Sequence, residues 1–159
     1  MKPVSELLPL PSAYGTPRST LSWDDVSARI AASLRFWLST VRADGRPHAI
    51  PVDGLWFDDI LWFGGSDETV HHRNLLAQPM VAVHLEDALS AVIMEGRATL
   101  DTPTHDVAAQ LARLSTDKYG YRSPTETFLV PLWQLAPSRV LAWTNFPKDA
   151  TRFRFPAAQ

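Results

Sequence analysis

The chain is predicted to fold as a mainly β (α+β) protein, with six antiparallel strands closing into a barrel and two or three peripheral helices. Three observations predict this. Apolar, strand-like runs follow one another through very short polar turns. Two of those turns, Asp44-Gly45 and Asp58-Asp59, are hairpin signals. The helical stretches are brief and end at clear stop signals, as expected of helices inserted between strands rather than of a helical core.

The elements follow in order. Residues 1–20 carry prolines at positions 3, 9, 11 and 17, so they read as an extended N-terminal arm preceding a domain over 21–155. Ser22 is placed to cap a helix, with Asp25 at the capping-box position and Trp23, Val26 and Ile30 on one apolar face; it ends near Ser33. Leu34–Arg42 and Pro47–Phe57 read as strands, and Pro51 inside the second marks an edge, a bulge or a kink. Ile60–Gly64 is a third strand. Glu68–Ala77 reads as a helix capped by Ser66 or Asp67 and stopped by Gln78-Pro79. Strands follow at Met80–Leu85 and Ala88–Leu100. A helix starts at Thr102-Pro103-Thr104, with Val107, Leu111 and Leu114 spaced as a buried stripe. Tyr119–Pro124 is a loop, and Phe128–Trp133 and Pro137–Trp143 are the last extended segments.

Composition narrows the function. With 159 residues and 45% hydrophobic content the chain can bury one substantial core. A net charge of -2 gives no electrostatic case for nucleic acid or anionic membrane. The absence of cysteine removes disulfides, thiolate metal sites and cysteine nucleophiles together. No signal-peptide-like or bilayer-spanning run is present, so a cytoplasmic protein is expected. Six tryptophans serve either core packing or an aromatic wall around a planar ligand.

The chemistry concentrates between Gly64 and Asn74. Two glycines, Ser66, Thr69, His71, His72 and Arg73 cluster where a helix begins. Free amides and the positive end of the helix dipole there favour a phosphate, and hydroxyls and a cation add to it. His71 and His72 are adjacent and diverge by about 100° on a helix, which argues against a shared metal ion. No His-Glu-x-x-His or Gly-x-Ser-x-Gly pattern occurs, so no metal site and no serine hydrolase is expected. Glu95 and Arg97 are expected to form a lateral ion pair on one strand face. Arg152 and Arg154 are candidates to neutralise an anionic tail.

The blocks Thr40-Val41-Arg42-Ala43-Asp44-Gly45-Arg46-Pro47-His48, Ile50-Pro51-Val52 and Leu61-Trp62-Phe63 come first. Thr69-Val70-His71-His72-Arg73-Asn74-Leu75, Pro79–Leu85 and Glu95-Gly96-Arg97-Ala98 follow in order. Together they resemble the pyridoxamine phosphate oxidase-like superfamily of flavin-binding split barrels, and most closely its actinobacterial-type branch. The resemblance implies a homodimer with one cofactor, FMN or a deazaflavin coenzyme (F-420), in each of two grooves at the interface. It implies that the backbone of Ile50, Pro51 and Val52 runs beside the ring. It also implies that Thr69, His71 and Asn74 lie at the phosphate helix; Ser66 and Arg73, from their place at the helix start, and Arg152, from its charge, are further candidate cofactor contacts. His71 stands where that helix often carries Lys or Arg. The C-terminal substrate signature of true pyridoxamine phosphate oxidases is missing, so vitamin B6 synthesis is not expected. The expected function is hydride transfer between the cofactor and a small organic substrate, with Tyr119 or Tyr121 as a proton donor; the alternative is a non-catalytic flavin, deazaflavin or haem-like ligand binding protein.

Overall fold

A computed structural model of the chain describes residues 2–156. Ten strands and three α-helices run in the order β1 (Val4–Leu7), α1 (Trp23–Ala32), β2 (Phe36–Val41), β3 (Pro47–Val52), β4 (Leu55–Phe57), β5 (Ile60–Phe63), α2 (Val70–Ala77), β6 (Met80–His84), β7 (Val92–Asp101), α3 (His105–Tyr119), β8 (Leu132–Leu135), β9 (Arg139–Ala142) and β10 (Thr151–Arg154). All pairings are antiparallel. The larger sheet runs β1-β10-β9-β7-β6-β2-β3, and β4, β5 and β8 form a second ladder attached to β7. This is the expected mainly β, α+β architecture. The strand count is ten rather than six, and β3 and β4 are not hydrogen-bonded to each other, so the sheet does not close.

The split lies within β7. Its first half, through Glu95, pairs with β9, and its last four residues pair with β8. Gly96 sits between. A Cβ there would lie 2.9 Å from Leu135 Cδ1 and 3.1 Å from the Ala136 carbonyl oxygen, so only glycine lets the two partners diverge at this point.

Period-2 alternation puts Phe36, Leu38, Val81, Val83, Met94, Val140 and Phe153 into the core between the sheets. Helix α1 closes one end of that core with Trp23, Val26 and Ile30, as its apolar face predicts. Ser22 Oγ accepts from the Asp25 amide at 3.1 Å and caps the helix. A smaller cluster of Leu55, Trp62 and Leu111 forms where α3 packs on the β4–β5 hairpin.

Several boundaries differ from the sequence expectation for local reasons. The run Pro47–Phe57 breaks into β3 and β4 because Asp53 is held by Arg35 (2.9 Å) and Gly54 is packed under Phe36 and Leu61. Strand β7 begins at Val92, not Ala88, because the Asp87 side chain accepts from the amides of Leu89 and Ser90 and holds a turn. Thr151–Arg154 is a strand where the sequence offered only a tail. Residues 4–7 of the N-terminal arm pair with it as an edge strand. Glu95 pairs across the sheet with Arg139, not with Arg97 on its own strand.

The C-terminal end of α3 is fastened to the β3–β4 break. Lys118 Nζ donates to the Gly54 carbonyl (2.9 Å), and the Tyr119 hydroxyl accepts from the Gly54 amide (3.0 Å). Burial pushes the half-buried Lys118 down to about 8 from its ordinary 10.5. Burial also raises Tyr119 above its ordinary 10.0. Between about pH 8 and 10 the unfolded chain therefore keeps a proton on Lys118 that the folded chain has released, so raising the pH favours folding. Above about 10 the sign reverses, because unfolded Tyr119 ionises first. Denaturant midpoints measured across this range should rise from pH 8 towards 10, and Lys118→Met should flatten that rise; a wild-type profile that falls over the same window would contradict it.

Candidate functional site

The turn Gly64-Gly65-Ser66 carries the chain from β5 into α2. Thr69, not Ser66 or Asp67, is the N-cap. Its backbone is extended, and its Oγ1 accepts from the His72 amide at 3.4 Å. Thr69 Oγ1 also donates to the Ser66 carbonyl (2.7 Å), and the Thr69 amide reaches the same oxygen at 2.9 Å. Ser66–Glu68 therefore form a closed turn ahead of the helix, which is why α2 starts two residues later than expected. The amides of Val70 and His71, in its first turn, have no intrahelical acceptor.

His71 is buried beneath this turn, with Nε2 3.4 Å from both the Gly64 carbonyl oxygen and Thr69 Oγ1. The carbonyl places the proton on Nε2, so Nδ1 is an acceptor, and it has no partner. Burial lowers the pKa of His71 below its ordinary 6.5, so the ring is neutral at physiological pH. Gly65 has φ +141°, and a Cβ there would stand 2.5 Å from His71 Nε2. The second glycine is thus required both by backbone conformation and by the imidazole beneath it.

The other helix residues divide. Asn74 is buried, and its Nδ2 donates to Thr40 Oγ1 on β2 at 2.9 Å. Thr40 Oγ1 in turn lies 3.4 Å from His48 Nδ1 on β3. Asn74 is therefore a strut joining α2 to β2, not a free contact for an anion. Arg73 is exposed and donates to the Glu68 carbonyl (2.7 Å), bracing the turn from outside. His72 accepts from Trp133 Nε1 at 3.1 Å.

Ile50, Pro51 and Val52 lie on β3, which pairs with β2 alone and so leaves one backbone edge open. Ile50 and Val52 pack against the core, and Pro51 is exposed opposite Trp37. The Asn74–Thr40–His48 link ties this strand to the middle of α2 through β2. Arg152 stands on β10, separated from β3 by β9, β7, β6 and β2. Its Nε lies 2.6 Å from Glu6, and Arg154 lies 2.6 Å from the same carboxylate. Arg152 lowers the pKa of Glu6 by this hydrogen bond.

Between Arg152 and β3 runs an open groove of about 830 Å³ across the outer face of the sheet, bordered by Ser39, Val41, Met80, Glu95 and Arg139. The tyrosines expected to supply protons are otherwise engaged: the Tyr119 hydroxyl is shared among Gly54 N, Gly54 O and Leu34 O, and Tyr121 donates to Asp53 at 3.3 Å. Among the described residues no group of three or more His, Asp or Glu side chains is set to hold a metal ion. Sequence reading missed the part played by Thr40 and His48; their only signal was the alternation of β2 and β3.

The sequence profile of the pyridoxamine 5'-phosphate oxidase family matches residues 22–144. No curated protein sequence matches the chain. Solved structures share the fold at low identity. A conserved hypothetical protein from Mycobacterium tuberculosis has a TM-score of 0.66 and 18% identity, over 79% of this chain and 86% of that one. A heme binding protein from Mycobacterium smegmatis has a TM-score of 0.62 and 20% identity, over 90% of this chain and 59% of that one. An F420 reductase has a TM-score of 0.56 and 22% identity, over 72% of this chain and 94% of that one.

Asn74→Ala should cost about 1–3 kcal/mol, because it removes the donor to the buried Thr40 hydroxyl and detaches α2 from β2. Urea unfolding reads this directly. A loss below a few tenths of a kcal/mol would show that the strut is not structural.

Proposed function

Since the chain belongs to the pyridoxamine 5'-phosphate oxidase family, we propose that it is a flavin- or deazaflavin-dependent oxidoreductase working as a homodimer. The observation that carries this reading is an open β3 edge together with the first-turn amides of α2, which have no intrahelical acceptor. The β3 edge offers backbone donors and acceptors to a planar ring. The amides of Val70 and His71, with the Ser66 and Thr69 hydroxyls nearby, suit a phosphate. His71 is buried and neutral and adds no positive charge, so the charge complement at this helix is dipolar rather than cationic. That fits both FMN and a deazaflavin coenzyme.

When bound, such a cofactor supplies the hydride transfer itself. The chain's contribution is to hold the ring edge at Ile50–Val52, to seat the phosphate over Thr69 and to exclude water. The outer sheet face provides the dimer surface. Trp37, Val41 and Met80 are 37%, 39% and 51% exposed there, an apolar strip that a second copy would cover. Across such an interface Arg152 and Arg154 would approach the partner's cofactor tail, a role that neither fills within its own chain.

A second reading, a non-catalytic holder of flavin, deazaflavin or a haem-like ligand, is favoured by the engagement of both Tyr119 and Tyr121 in structural hydrogen bonds. Reduction of added quinones and enones by the reduced, loaded protein separates the two. A stable complex without turnover would exclude the enzyme.

Titration of the apo-protein with FMN and with the deazaflavin should give micromolar or tighter binding of one. Binding of neither would overturn the proposal. Because His71 is already neutral above pH 6.5, affinity should be insensitive to its titration between pH 6.5 and 8. A steep loss across that window would mean that a protonated imidazole makes the contact.

A further inference from the structure

Strand β1 is an edge strand that pairs with β10 and with no other strand. None of its four residues is buried. Val4 is 67% and Leu7 44% exposed, and Glu6 alone is partly covered. The strand therefore holds its place with little apolar burial behind it. What it does bring is one carboxylate. Glu6 stands directly opposite Arg152 in the β1–β10 register, and Arg154 lies two residues further along the same face of β10. Glu6 Oε1 lies 2.6 Å from the Nε of each arginine.

The charges at this point do not cancel. Two guanidinium groups share one carboxylate, while Arg139, directly opposite Arg154 on β9, is matched by Glu95. One positive charge is left over. Each guanidinium also offers Glu6 its Nε alone, and among the described residues its η nitrogens donate to nothing else. Arg152 and Arg154 both border the open outer groove, whereas Glu6 does not. The carboxylate thus occupies donors that the groove would otherwise present. A ligand group with one negative charge would only replace Glu6. A group with two, engaging both guanidinium forks, would neutralise the pair completely.

We propose that Arg152 and Arg154 form a binding site for a doubly charged oxyanion, a phosphate-type group or two neighbouring carboxylates, and that Glu6 on β1 is the internal competitor such a group displaces. The N-terminal strand is thereby a strap whose one charged tie is undone when the anion arrives. The site deepens the role given above to these two arginines and rests on that reading only for the identity of the natural ligand.

Inorganic pyrophosphate and succinate, added to the cofactor-free protein at neutral pH and constant ionic strength, test the site and separate the two kinds of oxyanion. The readouts are amide hydrogen exchange over residues 4–8 and the Nε–H resonances of Arg152 and Arg154. At least one anion should move both resonances saturably and speed exchange across β1, and the tighter of the two names the class. Glu6→Gln should bind that anion about three- to fivefold more tightly, the worth of the ion pair that no longer has to be broken. Glu126→Gln, which removes an exposed charge that borders no part of the groove, should leave the affinity unchanged. Slower exchange in β1 on adding the anion, equal affinities of Glu6→Gln and the wild type, or resonances unmoved by either anion would overturn the proposal. A protein that binds the anion in this way but no flavin would keep the site and lose the proposed function, so the two failures are told apart.

Discussion

The structure depends on one strand serving two sheets. β7 gives its first half to β9 and its last residues to β8, and the crossover is made at a position where no side chain fits. The β8 arm of that fork leads through β5 to the Gly64-Gly65 turn and to the face beneath α3, and the β9 arm leads to β10 and β1. The opposite edge of β7 pairs with β6 and leads through β2 to the open edge of β3 and to the outer groove. The β8 arm and the β6–β2–β3 side are then stitched together by the small polar chain Asn74–Thr40–His48. A buried polar network of this kind adds little net energy, but it admits one arrangement only, because each alternative leaves a polar atom unpaired.

The sequence made the antiparallel class legible because alternation and hairpin turns are local signals. The α1 cap at Ser22 and its face of Trp23, Val26 and Ile30 were equally local, and so was the stripe on α3. Boundaries failed where a distant partner intervened. Nothing near Asp53 announces that Arg35 and Gly54 will break the strand. Nothing in Thr151–Arg154 announces that residues 4–7 will pair with it. The candidate site shows the same division. A polar helix start with two glycines was readable, but the side-chain orientations were not. Asn74 and Arg73 looked like anion contacts by position, yet one faces β2 and the other braces a carbonyl. Arg152 looked like a partner for the same anion, and the strand order places it across the sheet.

The histidine substitution at the helix start has an energetic logic. A lysine or arginine at position 71 would have to escape the turn to stay solvated, because Gly64, Gly65 and Thr69 enclose the side chain. A neutral imidazole can remain enclosed. The turn is therefore packed rather than charged, and its geometry is set by the chain itself.

The open edge of β3 carries prolines at 47 and 51. An unpaired strand edge normally invites another chain to add to the sheet, with aggregation as the hazard. Proline lacks the amide that continuous strand addition requires. The edge thus remains available to something short that needs only a few contacts, while it refuses a long backbone partner. In that sense the same two residues leave the edge open to short contacts while they block its extension by another strand.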